Sequence, residues 1–413
     1  MSQRSVGGVH WPDLDGLRAL AILLVMARHS LRPVLPHDTY APVVTFGPFD
    51  LTPAMLNGWI GVDLFFVLSG FLIGRQAWRS DSLARFWFKR VTRILPAYWT
   101  CLALIAVLLT LGGRWHGVGS DFLAHVVMLQ DYTGSVFVPA FWSLGAEEKL
   151  YLLAPAFVFV VARCQRRWMQ AGALAAMWLL PIGLRTISAW SVDAPVGYLD
   201  YFAIYRSPFH LTCESLVLGF TIAWISLNAG TLPMLEQRRS RELMFWGGTA
   251  AVLWYLVPSE ILHTIDAWTI VVPAAVIGLG FGAIVLAVVS GSGSYSHALG
   301  WRGWQPIATG SYTLYLTHMM AIPVAQTLAE VVAPGIATPG GRWLAFLPWY
   351  LGVSLLAAFA LHRLVERPVL GWRDRYLKSF ESFGTFESFT CRAGAAAHTR
   401  RARRTRREQA CSR

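Results

Sequence analysis

Apolar stretches long enough to cross a bilayer recur along the whole chain, near residues 16–34, 57–75, 94–113, 141–162, 168–185, 208–228, 243–258, 267–290, 306–326 and 343–362. A helix rises 1.5 Å per residue, so about 20 apolar residues cover the ~30 Å hydrocarbon layer. Inside that layer each backbone N–H and C=O must be paired within its own segment, and a run of this length achieves that as a helix. The sequence therefore predicts an all-α polytopic membrane protein of about ten transmembrane helices. With 55% hydrophobic and 14% charged residues, no sizeable soluble domain is left over. The 19 Trp suit a chain with many anchors at headgroup level.

The net charge of +12 matters less than where it sits. Arg75, Arg79, Arg85, Lys89, Arg90 and Arg93 crowd between spans two and three; Arg163, Arg166 and Arg167 follow span four; Arg238, Arg239 and Arg241 precede span seven. The intervening segments carry only Arg32, Arg114, Arg185, Arg206 and Arg342. That alternation follows the positive-inside rule with both termini cytoplasmic, and it argues against a nucleic-acid-binding surface. Arg28 and His29 interrupt the first apolar run and no small-residue cleavage site follows it, so the first helix is expected to stay in the mature protein. Pro258 and Pro273 mark spans seven and eight as candidates for kinks. Residues 1–377 read as the integral-membrane domain. Residues 378–413, with the near-repeat SerPheGluSerPheGlyThrPheGluSerPhe and an Arg-rich end, read as a basic, disordered cytoplasmic tail. The five Cys show neither a disulfide framework nor metal-ligand spacing, and no metal site is expected.

Ionisable residues inside apolar spans are the candidates for function, because their burial is costly. Arg18 and His29 lie eleven residues apart in the first span. That is close to a whole number of turns, so they share a helix face roughly 16 Å apart, with His29 near mid-depth if Arg18 sits at the surface. Asp63, near the outer end of span two, needs a cation or hydroxyl partner unless it sits in the wet interface, and the Gly and Ser around it permit close helix contact. Lys89, Arg90 and Arg93 follow PheTrpPhe; Arg forks hold phosphate bidentately, although ordinary topology also places cations here. Span four opens PheTrpSerLeuGlyAlaGluGluLys, with Trp142, Ser143, Glu147, Glu148 and Lys149. Adjacent helix positions point about 100° apart, so the two Glu are expected to have different partners, one pairing with Lys149 or a cation of another span. In span nine, Tyr315 and His318 share a face at i, i+3. No Walker loop, GlyXSerXGly elbow, HisGluXXHis helix or CysXXCys pair is present.

Taken in order, AspGlyLeuArgAlaLeuAla leading to His29, GlyValAspLeuPhePheValLeuSerGlyPheLeuIle, ArgPheTrpPheLysArgValThrArgIleLeuPro, PheTrpSerLeuGlyAlaGlu, SerTyrThrLeuTyrLeuThrHis and GluArgPro at Glu366 resemble the membrane-bound acyltransferase family 3 over about residues 13–370. That family O-acylates bacterial glycans and glycosylated small molecules. The resemblance implies ten helices in the bacterial inner membrane, an acyl-CoA donor on the cytoplasmic side and an acceptor usually on the other. It places the family's Arg-to-His pair on Arg18 and His29, its basic motif on Lys89, Arg90 and Arg93, and its Trp-Ser-Leu-x-x-Glu motif on Trp142, Ser143, Leu144 and Glu147. Some relatives carry a further hydrolase-like domain after the last helix. None is seen here, which leans toward a small or lipid-linked acceptor, or toward a partner protein for an external polymer.

The expected reaction is O-acyl transfer, most simply acetyl transfer from acetyl-CoA, to a sugar hydroxyl. The acceptor stays open among lipopolysaccharide, capsule, exopolysaccharide, peptidoglycan, a lipo-oligosaccharide and a macrolide-type glycoside. A neutral His29 can act as base or as an acyl relay. Arg18 is expected to hold the donor or orient a carboxylate, Glu147 to orient His29 or act as a second base, and Lys89, Arg90 and Arg93 to take CoA phosphates. Asp63, Trp142, Ser143, Tyr315 and His318 are expected to form a substrate or structural polar network. A transporter or flippase for a lipid-linked glycan is the rival of a different class, since such proteins also bury charges in kinked spans. A scaffold whose buried polar groups only pack helices is a third reading.

Overall fold

The computed structural model describes residues 11–35, 40–113, 118–134, 137–191, 197–228, 232–256 and 265–382. Its long helices are α1 (Pro12–Ser30), α2 (Gly61–Arg79), α3 (Leu83–Leu111), α4 (Trp142–Arg163), α5 (Arg167–Trp190), α6 (Glu214–Leu227), α7 (Arg238–Leu256), α8 (Ala267–Ser290), α9 (Trp304–Val332), α10 (Pro339–Leu361) and α11 (Arg367–Ser382). The first ten coincide with the ten apolar stretches, in order. Among the described residues, five helical segments are long and apolar enough to cross a membrane by composition: Thr52–Arg79, Leu83–Leu111, Arg167–Trp190, Ala267–Ser290 and Pro339–Ser379. This is an all-α membrane protein. In α1 and α4 the charged residues dilute the hydropathy, and those residues matter below.

Local chemistry sets the helix ends. Pro12 opens α1, Asp13 and Asp15 occupy its first turn, and Arg28 and His29 occupy its last, matching the helix dipole at both ends. The Asp266 carboxylate caps α8 by accepting from Thr269 N at 2.7 Å. Pro273 sits inside α8 without ending it. Pro258 and Arg114 lie outside the described residues. Helix α3 begins eleven residues before the apolar stretch near 94–113, so Lys89, Arg90 and Arg93 are helical. Its charges depress the hydropathy of this first part, which is why the apolar stretch begins only near 94. At the other end, α11 runs to Ser382, past the composition change near 378. The remaining tail, including most of the Phe-Glu-Ser repeat, lies outside the described residues.

Two large apolar clusters build the core, and α1 and α2 form the seam between them. Ile22, Val25, Met26 and Phe66 belong to the cluster shared with α4 and α9. Leu14, Leu17, Leu64 and Leu68 belong to the one shared with α7 and α8. The backbones of α2 and α6 approach closely, as the Gly and Ser of span two led one to expect. A Cβ on Gly70 would lie 2.0 Å from Leu216 O, and one on Gly219 would lie 2.1 Å from Val67 O. Large apolar side chains stay exposed along α3 (Val107, Leu108), α5 (Leu180, Ile187) and α10 (Leu355, Leu356), the faces turned to lipid. Helix α9 packs on both α1 and α10, and this brings the last turn of α1 to the middle of the 29-residue α9.

Candidate active site

A cavity of 140 Å³ opens inside the bundle where α1, α2, α3, α4 and α9 meet. Arg18 enters from α1, Ser69 and Phe65 from α2, Arg90 and Arg93 from α3, Ser143, Glu147 and Tyr151 from α4, and Tyr312 and Tyr315 from α9. Its polar wall is partly ordered from within. Tyr151 Oη donates to Glu147 Oε1 at 2.6 Å, one turn along α4. Tyr315 Oη is 2.6 Å from both Ala140 O and Ser143 Oγ, and Ser143 Oγ is 3.3 Å from Ala140 O, so the two hydroxyls share one carbonyl and either can donate to the other. The guanidinium of Arg90 lies over the Tyr151 ring, 4.9 Å from its centroid. Among the described residues, Arg90 Nε and Nη2 are buried without a hydrogen-bond partner, and Arg18 makes no hydrogen bond or ion pair. Donors left unpaired in a cavity are costly, and an anionic or carbonyl oxygen placed there would satisfy them.

One turn of α9 beyond Tyr315, two histidines meet. His318 is fully buried, its Nδ1 2.7 Å from Tyr315 O and its Nε2 3.3 Å from His29 Nδ1. The rings are 5.0 Å apart and tilted by 51°. His29 Nδ1 is also 2.9 Å from Val25 O, and the ring is half-buried. Arg18 stands three turns back along α1, so the cavity and the imidazole pair lie in sequence along one helix.

Behind the cavity sits a buried ionic layer. Arg206 Nη2 donates to Asp63 Oδ2 at 2.7 Å, Nη1 donates to Thr212 Oγ1 at 2.9 Å, and the guanidinium lies between the Trp59 and Trp142 rings, 5.0 and 5.1 Å from their centroids. Ser215 Oγ reaches Asp63 Oδ1 at 3.5 Å. Beside it Arg185 Nη1 donates to Glu214 Oε1 at 2.6 Å. Arg206 comes from a π-helical turn, Phe202–Arg206, a geometry found often at functional sites.

The sequence profile of a family described as an acyltransferase domain matches residues 11–363. The chain belongs to this acyltransferase family. It is 24% identical over 394 residues to the peptidoglycan O-acetyltransferase OatA of Listeria monocytogenes serovar 1/2a, covering 90% of this chain and 57% of that protein. The chain thus spans little more than half of that relative. It is 29% identical over 388 residues to the acyltransferase MdmB of Streptomyces mycarofaciens (88% of this chain, 92% of that one). It is 27% identical over 390 residues to nodulation protein 10 of Rhizobium leguminosarum bv. viciae (88% and 94%). No solved structure matches the chain significantly.

In this acyltransferase domain the residues singled out from sequence fall into three places. Arg18, Arg90, Arg93, Ser143, Glu147 and Tyr315 line the cavity. His29 and His318 form the adjoining pair, and Asp63 and Trp142 flank Arg206. Lys89 is not part of the cavity wall. Several expectations change. Lys149 pairs with neither Glu147 nor Glu148: its Nζ is 2.6 Å from Asp131 Oδ1 and 2.9 Å from Met128 O, because the loop before α4 folds back over its first turns. Among the described residues Glu147 makes no hydrogen bond to His29; its partner is Tyr151, and Val25 and His318 hold the imidazole instead. Arg93 is ion-paired with the buried Glu366, on the π-helical turn His362–Glu366, and so is not a free cation. Arg185 and Arg206, placed in external segments, are buried, Arg185 against Glu214 of the next long helix and Arg206 against Asp63 of α2. Sequence reasoning missed Arg206 and Tyr151. The signal for Arg206 was available: Asp63 and Glu214 are carboxylates in apolar spans, and each required a cation. Among the described residues no group of three or more His, Cys, Asp or Glu is arranged to hold a metal ion.

Proposed function

We propose that this protein is an integral-membrane O-acyltransferase that moves an acyl group, in the simplest case acetyl, from cytoplasmic acyl-CoA to a hydroxyl of a sugar-containing acceptor. In this reading ten helices cross the bacterial inner membrane and both termini are cytoplasmic, as the distribution of basic residues supports. The observation that carries it is the cavity itself, where the unbonded N–H groups of Arg90 and the unpaired Arg18 face Ser143, Glu147 and Tyr315 beside the His29–His318 pair.

Arg90, Arg18 and Arg93 bind the phosphates and carbonyl oxygens of the donor from the cytoplasmic half, with Arg93 held in line by Glu366. His29 takes the proton of the acceptor hydroxyl while its oxygen bonds to the thioester carbonyl carbon. The C–S bond then breaks as the carbonyl re-forms, and the CoA thiolate leaves with the proton that His29 took from the hydroxyl, which returns the imidazole to its neutral form. His29 ends α1, where the helix dipole favours the positive charge that the ring gains. The relatives named for acetylation of peptidoglycan and for acyl transfer support the chemistry, and the family match gives the transporter and scaffold readings no support.

Membranes holding the protein, given labelled acetyl-CoA with and without a panel of glycans and glycosides, test this directly. Label passing to an acceptor in wild type and lost in His29→Ala at equal protein level is the expected result. No turnover of any acyl-CoA across chain lengths would overturn the proposal.

A further inference from the structure

We propose that His318 is a positioning residue for His29, holding it as the Nδ1–H tautomer so that Nε2 is the atom that takes the acceptor proton. The inference rests on the acyl-transfer reading for its consequence, but its geometry stands apart from it. His318 Nδ1 lies 2.7 Å from the Tyr315 carbonyl oxygen, an acceptor that requires a hydrogen on that nitrogen. The neutral ring then has its unshared pair on Nε2, and that pair lies 3.3 Å from His29 Nδ1. The same His29 nitrogen is 2.9 Å from Val25 O. Two acceptors converge on one nitrogen, so the proton of neutral His29 belongs on Nδ1, as assigned from the network. The opposite assignment sets unshared pairs against one another at both contacts.

The roles of the two rings cannot be exchanged. His318 is fully buried and both of its nitrogens are engaged. His29 is half-buried, and among the described residues its Nε2 bonds nothing. The Val25 carbonyl is also the i→i−4 acceptor of the His29 backbone N–H, so His318 supplies the acceptor that is not shared. When the acceptor O–H proton moves to Nε2, the hydroxyl oxygen bonds to the acyl carbon and the thiolate departs. The imidazolium then directs its Nδ1–H at the His318 lone pair. His318 thus does for a buried imidazole what a carboxylate does in a Ser-His-Asp triad, without adding a charge to the bundle.

The test uses the full chain in lipid, labelled with 15N-histidine, with the His29 resonances assigned by their loss in His29→Ala. Solid-state 15N spectra distinguish Nδ1–H from Nε2–H. The wild type is expected to show His29 protonated at Nδ1 alone. His318→Gln keeps an acceptor oxygen near the Nε2 position and should preserve that tautomer, with kcat for acetyl transfer within about fivefold. His318→Phe fills the space without an acceptor and should give mixed tautomers, with kcat lower by ~10–100-fold, the usual cost of removing such an orienting partner, and KM for acetyl-CoA unchanged. His29 protonated at Nε2 in the wild type would overturn the proposal. So would an unchanged tautomer and kcat in His318→Phe, or equal losses in the Phe and Gln variants. Tautomers as expected in a wild type that transfers no acyl group would strike the acyl-transfer reading and leave this one standing.

Discussion

The Asp63–Arg206 pair offers a stringent test of how the core is held. The two side chains are 1% and 5% exposed and 2.7 Å apart, so each neutralises a charge that has no route to water. Removing one partner from a buried pair leaves the other uncompensated, which costs about 3–5 kcal/mol, roughly 10²–10³·⁵-fold in the folded-to-unfolded ratio. Replacing both by apolar residues removes the problem together with the pair. Arg206 does more than balance Asp63, because it also donates to Thr212 and lies between Trp59 and Trp142. Losing that desolvated cation–π contact costs about 1–2 kcal/mol more. Asp63→Leu should lower stability by about 3–5 kcal/mol, Arg206→Met by about 4–7, and the double variant by only about 1–2, a coupling of several kcal/mol. Reversible unfolding in mixed micelles of rising SDS fraction, read by Trp fluorescence, measures all four corners of the cycle. Additive losses in the double variant would refute the ion-pair argument. Activity separates a second effect. Trp142 is followed by Ser143 in the cavity wall, so the double variant should stay folded yet transfer acyl groups more slowly than wild type.

Other perturbations probe the remaining parts. Arg90→Gln removes charge-assisted bonds worth about 1.5–3 kcal/mol and should raise KM for acetyl-CoA by roughly 10–100-fold with protein level unchanged, as steady-state kinetics on membranes would read. Glu366→Gln releases Arg93 from its ion pair and should weaken donor binding by less than Arg90→Gln does, since Arg93 keeps its charge but loses its anchor; isothermal titration with CoA checks the order. Gly219→Val forces a side chain onto the Val67 carbonyl and should cost at least the ~1–3 kcal/mol of an overpacked core, seen as a lowered Tm in detergent, whereas Gly172→Val on an open face of α5 should be near neutral.

The helices were legible because hydropathy at this length has one structural solution, and ten stretches found ten helices. The helix ends and the partners of charged residues were not, for a common reason. Each depends on a side chain far away in sequence: Arg206 on Asp63, Arg185 on Glu214, Arg93 on Glu366. A window sliding along the chain registers those residues as breaks in an apolar run or as loop cations, when each pair together is nearly neutral to the bilayer. The positive-inside reading counted Arg185 and Arg206 as external, yet removing them from that count only sharpens the asymmetry. The same logic explains the site. His29 drew notice as an isolated imidazole in an apolar run, and His318 as a second one, but nothing in a 289-residue separation says that they touch. An unpaired ionisable group in a membrane span is thus best read as half of a pair. Where the bundle supplies the other half, as for Asp63, the group holds the fold. Where it supplies only part, as for Arg18, Arg90 and the Nε2 of His29, the acyl-transfer proposal assigns the remaining bonds to donor and acceptor.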